Sequence, residues 1–182
     1  MTPAAEPKKK LTYADYLLFP DDGKRHELIG GEHYVSPSPK FDHQAISARL
    51  LVQLFLQIEA KGLGRVVAAP MDVQLSLTSV VEPDLIVVLE KNRYIITPER
   101  IKGAPDLLVE ILSDSTAKRD LEDKPKLYAA SGVPEYWIVS PDDHTVEQHL
   151  LEGGAYRLAG THETSISFLG LADVTVDLKK VW

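Results

Sequence analysis

Glu110 stands inside an otherwise apolar run, "GAPDLLVEILS", from Gly103 to Ser113. A carboxylate placed there costs several kcal/mol unless something holds it. Alternate side chains of a strand share a face, so Leu107, Val109 and Ile111 point one way, and Asp106, Leu108, Glu110 and Leu112 the other. In the preceding apolar run, "PDLIVVLE", Asp84, Ile86 and Val88 share one side. If the two runs are neighbouring strands, Asp84 and Glu110 lie side by side. Two such carboxylates repel each other, and a hard divalent cation such as Mg2+ between them relieves the repulsion. A salt bridge from Glu110 to a lysine or arginine is the alternative. Asp106 shares the face of Glu110 but sits about 13 Å away along the backbone. Oxygen ligands of magnesium lie roughly 2 Å from the ion. Asp106 is therefore expected to end a turn or cap the loop after Gly103, and Asp84 is the preferred partner.

The elements that must position these groups follow from periodicity. "LTYADYLLF" predicts a short helix with Thr12 as cap and Asp15 in the first turn. "RHELIGGEHYVS" predicts two strands around Gly30-Gly31. Asp42 is expected to cap a long helix over residues 43–61, with Ile46, Leu50, Leu54 and Ile58 at helical spacing and Gly62 as the stop. "GRVVAAPMDVQLSL" reads as extended chain, followed by the strand 84–90, a turn or loop at "TPERIKG", and the strand carrying Glu110. "TAKRDLEDKPKLYAASG" reads as a helix closed by Gly132, with a bend or delay at Pro125. Extended segments "EYWIVSP", "TVEQHLLE", "AYRLAG" and "DVTVDL" complete the chain. This order predicts an α/β domain whose mixed central β-sheet is flanked by helices, with an added N-terminal β-hairpin. Residues 1–10, ending in "PKKK", read as a mobile arm, and residues 11–182 as one domain.

Composition narrows the function classes. The chain has 182 residues and no cysteine, so disulfides and thiolate zinc sites are excluded, and a cytoplasmic setting is expected. No apolar run approaches the ~20 residues of a membrane helix, and no apolar signal core follows the basic cluster. The net charge of −7 argues mildly against non-specific nucleic-acid binding, although acidic residues gathered around a metal would contribute to it. The histidines make no zinc pattern: His26 and His33 are seven apart with no third ligand evident. Neither GxSxG nor a Gly-rich phosphate loop is present. Tyr136 and Trp137 read as core at a strand entrance rather than a base-stacking platform.

The strings "PDLIVV", "GAPDLLVEILSDST", "RDLEDK", "LYAASGVPEYWIVSP" and "ELIGGE" resemble the Uma-two family of restriction-endonuclease-like proteins, within the PD-(D/E)XK nuclease superfamily. The resemblance runs from about Leu11 to Leu151. It implies a restriction endonuclease-like fold and Mg2+- or Mn2+-dependent hydrolysis of DNA phosphodiesters. A homodimer is implied as well, because duplex cleavage needs two sites. Asp84 matches the metal-binding aspartate and Glu110 the acidic residue of the second half-motif. The usual lysine should stand two positions on, where this chain has Leu112; Lys124 matches the place from which relatives supply it instead. The resemblance assigns catalysis to Asp84, Glu110 and Lys124, the metal to Asp84 and Glu110, and a further ligand to the carbonyl of Ile111. Read without it, Lys124 is an exposed helix residue pairing with Asp120. His43 matches a family histidine that could touch phosphate or a metal-bound water, or be structural. Glu27 could reach the metal or its surroundings, or be a surface hairpin carboxylate. Asp72 reads as a loop or strand-end residue. The alternative function is a catalytically inactive nuclease-fold module that binds nucleic acid or a protein partner.

Overall fold

Thr12 and Asp15 start the first ordered turn of this computed structural model, which describes residues 9–182. Asp15 Oδ2 accepts bonds from the Thr12 amide and hydroxyl, both 2.8 Å, and caps the one-turn helix α1 (Tyr13–Tyr16). Most of the arm expected over residues 1–10 lies outside the described residues; Lys9 and Lys10 are exposed. Strands β1 (Arg25–Ile29) and β2 (Glu32–Ser36) form a hairpin over Gly30 and Gly31, both at positive φ as this tight turn demands. Helix α2 (Phe41–Leu54) follows, continuing as a π turn over Phe55–Glu59. Next come β3 (Gly64–Ala68), β4 (Val73–Ser76), β5 (Ser79–Val81), β6 (Leu85–Leu89), a 3-10 segment (Glu90–Ile95), β7 (Ile101–Lys102) and β8 (Leu107–Ile111). Helices α3 (Ala117–Glu122) and α4 (Lys124–Ser131) precede β9 (Glu135–Ser140), β10 (Thr145–Glu152), β11 (Ala155–His162), β12 (Ser165–Ser167) and β13 (Thr175–Asp177).

The central sheet has six strands in the order β11-β10-β9-β8-β6-β3, parallel only between β8 and β9. β6 and β8 run antiparallel in the register Leu85↔Val109 and Val87↔Leu107. Every residue of both strands is buried, which explains their near-continuous apolar character. One face of the sheet (Leu85, Val87, Leu107, Val109) packs on Ile46, Leu50, Leu54 and Ile58 of α2. The other face (Ile86, Val88, Leu108, Ile138) packs on Tyr128 of α4 and on Val73, Val81 and Ile101 of a second sheet, ordered β2-β1-β5-β4-β7. The expected mixed α/β architecture is present, and its N-terminal hairpin forms one edge of that second sheet. No helix among the described residues is long and apolar enough to cross a membrane.

Several local expectations are corrected. Asp42 does not cap α2: Lys40 holds the extended cap position, and Asp42 lies in the first turn, where a carboxylate favours the helix dipole. The run "GRVVAAPMDVQLSL" is not one extended piece; it turns at Ala69-Pro70 and sends β3 and β4 to different sheets. "TPERIKG" contains β7, paired in parallel with β4. The helix expected over "TAKRDLEDKPKLYAASG" is two helices broken at Asp123, and Pro125 stands in the first turn of the second, where its missing N–H costs nothing. Gly132 closes it in the left-handed region as expected.

Gly64 is a point of forced contact. A Cβ there would lie 2.5 Å from the Val88 carbonyl oxygen and 2.9 Å from Leu89 Cα. Gly64→Ala should therefore part β3 from β6 and destabilise by about 1–3 kcal/mol, read as a lowered urea midpoint. An unchanged midpoint would show that the edge strand yields freely.

Candidate active site

Asp84 immediately precedes β6, and the antiparallel register carries it to the end of β8 that bears Glu110. Its Oδ2 accepts the Ile111 backbone N–H at 2.8 Å and lies 3.2 Å from His43 Nε2. Its Oδ1 accepts a bond from Arg25 Nη1 at 2.9 Å. His43 reaches the site because α2 begins at Phe41, which places the histidine in the first turn. Burial alone would push the Asp84 carboxyl up; bonds from His43, Arg25 and the Ile111 amide outweigh it and hold the group below its usual range.

Glu110 points to the face covered by α4. Lys124 Nζ lies 2.8 Å from Glu110 Oε1, and Tyr128 Oη donates to the same oxygen at 2.6 Å. Lys124 is only 1% exposed, because it opens α4 beside the break at Asp123 and projects inward. Its ammonium also lies 3.0 Å from Glu27 Oε1 and 3.1 Å from Asp120 Oδ1. Lys124 thus does pair with Asp120, within a buried cluster rather than on an exposed helix face. Glu27 is 1% exposed, not a surface hairpin carboxylate; its Oε1 accepts the Glu82 amide N–H and its Oε2 has no hydrogen-bond partner. Arg119 Nη1 lies 3.9 Å from that second oxygen.

Asp84, Glu110 and Lys124 line one cavity of about 170 Å³ together with Arg25, Lys40 and His43. In the buried ion-pair network behind it, five carboxylates (Glu27, Glu82, Asp84, Glu110, Asp120) face three permanent cations (Arg25, Arg119, Lys124), while Lys40 pairs with Asp114 at the exposed rim. The excess of negative charge is visible in the protonation equilibria. Burial pushes Glu110 well up, Lys124 opposes it, and Asp120, Asp84 and Glu27 push further. Burial would lower Lys124, but Glu110, Glu27 and Asp120 outweigh it and hold the ammonium charged well above its usual range. Burial also pushes Glu82 up to about 7, against the opposing charge of Arg25.

These shifts set a pH dependence. Glu82 and Glu110 have folded-state pKa values above their unfolded ones, so between those values the native state holds more protons than the unfolded chain. Their stabilising contribution is complete below about 4.5 and, for Glu82, is lost as pH rises through about 7. Metal-free protein should accordingly lose stability between pH 5 and 8 in urea titrations, and Glu82→Gln should flatten that slope. A slope of opposite sign would overturn the assignment.

The residues fit a divalent cation on the chemistry of the donor set. Asp84 and Glu110 offer hard oxygen ligands in one cavity, and the surrounding carboxylate excess is what such an ion neutralises. No group of three or more histidines and carboxylates with metal-binding spacing occurs among the described residues. An ion held here would rely on two carboxylates, a backbone carbonyl and water, which magnesium tolerates.

The remaining candidates lie elsewhere. Asp106 accepts the Leu89 amide N–H and an Asn92 side-chain N–H, both 2.8 Å, so its side chain secures the start of the 3-10 segment and not the loop after Gly103. Asp72 accepts the Tyr16 hydroxyl at 2.7 Å. Tyr136 and Trp137 are fully buried core. Leu112, where a lysine was to be expected, is half-buried against the α4-side core. Arg25 and Tyr128 were missed, and Asp120 was expected only as the partner of an exposed Lys124. Strand alternation puts Arg25 on the face of Glu27, and helical spacing puts Asp120 and Tyr128 four residues either side of Lys124.

A family model described as "Putative restriction endonuclease", Uma2, matches residues 13–179. The chain belongs to the Uma2 family. The match reaches past Leu151, where the motif resemblance stopped, and takes in the C-terminal strands. No curated protein matches this Uma2 chain. A solved structure described as a putative nuclease belonging to DUF820, from Anabaena variabilis ATCC 29413, superposes with a TM-score of 0.77 at 18% identity. The alignment covers 94% of this chain and 97% of that one, which establishes the shared fold along nearly the whole of this Uma2 protein.

Proposed function

We propose that this Uma2 protein is a divalent-metal-dependent nuclease that hydrolyses DNA phosphodiester bonds. The observation that carries the reading is the joint presence of Asp84, Glu110 and a fully buried, charged Lys124 around one cavity. Asp84, Glu110 and the Ile111 carbonyl are the groups that would hold Mg2+ or Mn2+, which when bound supplies Lewis-acid polarisation of the phosphate and a water of lowered pKa. Lys124 aims a permanent charge into the cavity and stabilises the negative charge that develops on the phosphorane oxygens, or orients the attacking water. Glu27 and Asp120 fix that ammonium in position. Tyr128 fixes Glu110, and His43 and the Ile111 amide fix Asp84. Cleavage of both strands of a duplex calls for two such sites, so the working unit is a homodimer.

A second reading, a catalytically silent nucleic-acid- or protein-binding module, is favoured by one observation: Arg25 and Lys124 satisfy both carboxylates without a metal. The deciding assay incubates the protein with supercoiled, linear duplex and single-stranded DNA in Mg2+, Mn2+ or EDTA. Ion-dependent cutting that EDTA abolishes is expected. Intact DNA of all three forms in both ions would leave the binding module standing.

A further inference from the structure

Asp84 offers a cation only one oxygen that can be freed. Oδ2 is committed to the Ile111 backbone N–H, a donor fixed by the strand, and to His43. Oδ1 is held by Arg25 Nη1 at 2.9 Å. A guanidinium on Oδ1 fills one of that oxygen's two lone-pair directions and sets a positive charge against an incoming cation, so the two compete for this oxygen. Arg25 differs from Lys124 in its freedom to leave. The Arg25 side chain is 18% exposed and that of Lys124 2%. Arg25 also lines a second cavity, of about 540 Å³, between the hairpin and α2. A vacated guanidinium has a partner at that cavity: Glu82 Oε2 already lies 3.9 Å from Arg25 Nε, and Glu82 lines the same space. The cluster therefore contains one cation that is locked, Lys124, and one that has a place to go.

We propose that Arg25 is a resident counter-ion on Asp84 which a divalent cation displaces, the guanidinium then turning to Glu82 and the second cavity. This rests on the metal-dependent reading of the same site. The arrangement keeps Asp84 paired when no ion is present and sets the ion's affinity by competition. It also couples ion binding to the arrival of the guanidinium beside Glu82 at the second cavity, where its remaining donors could meet a phosphate-bearing strand.

Titration of the full chain with Mn2+ by calorimetry, comparing wild type, Arg25→Gln and Arg25→Lys, tests this. Arg25→Gln keeps a hydrogen-bond donor but removes the charge, and should bind Mn2+ about tenfold more tightly or better. Arg25→Lys keeps the charge and should stay near wild type. Should Arg25→Gln fail to fold, the wild-type protein itself decides: the Arg25 Nε–H resonance should move on titration with diamagnetic Mg2+. Wild type that binds the ion, with Arg25→Gln no tighter or the resonance unmoved, overturns the counter-ion and leaves the metal site intact. Absence of millimolar binding by wild type and Arg25→Gln alike removes the metal-dependent reading, and this inference with it.

Discussion

Lys124→Met should lower stability by about 3–5 kcal/mol at pH 7.5, the scale on which removal of one partner from a buried ion pair acts. Glu110, Glu27 and Asp120 all lie within 3.1 Å of this ammonium and are nearly inaccessible to water. Removing the ammonium leaves three buried carboxylates that no other close cation serves, and water can reach Glu110 only through the cavity. Arg119 approaches only Glu27, at 3.9 Å. Protonation is the remaining relief, so the deficit should shrink at pH 5, and urea midpoints at the two pH values measure it. A loss under about 1 kcal/mol at pH 7.5, typical of an exposed pair, would show that the cluster is solvated and the buried description wrong. Cleavage should fall as well, by about a hundredfold or more, if the ammonium stabilises developing charge.

Glu110→Gln should do the reverse: abolish Mn2+ binding and reduce DNA cleavage by about a thousandfold, while stability changes by less than about 1 kcal/mol. The amide oxygen still accepts from Tyr128 and Lys124, whose bonds both end on Oε1. Lys124 retains Glu27 and Asp120. Because burial already pushes the Glu110 carboxyl strongly upward, a neutral isostere resembles the proton-bearing form. Retained cleavage in a folded Glu110→Gln protein would remove Glu110 from the chemistry. Collapse of stability with no loss of metal binding would make it structural. On the proposed function, the contrast between the two variants would separate a cation that holds the site together from a carboxylate that takes part in the chemistry.

Much of this arrangement is legible before any coordinates. A charged residue in a run of buried strand residues demands a partner, and the alternation of side chains places Asp84 and Glu110 on one face once their strands are neighbours. Pro125 announces a break in the helix that follows, since its ring removes an N–H, and the break falls at Asp123. The hairpin over Gly30 and Gly31 is likewise a local decision, made by two residues that accept positive φ.

Periodicity ends where long-range packing begins. It assigns Glu110 to a face but does not say that α4 covers that face, or that the break at Asp123 turns Lys124 inward instead of toward water. It treats Glu27 and Arg25 as neighbours on one strand face, yet their arrival beside Asp84 depends on the second sheet stacking against the central one. It misplaced the start of α2 at Asp42, because an acidic first turn and an acidic cap look alike in sequence and differ only in backbone angles. Local patterns determined which side chains would have to be neutralised. Tertiary structure decided what neutralises them, because Coulomb attraction and desolvation depend on distances across segments that no one-dimensional period encodes.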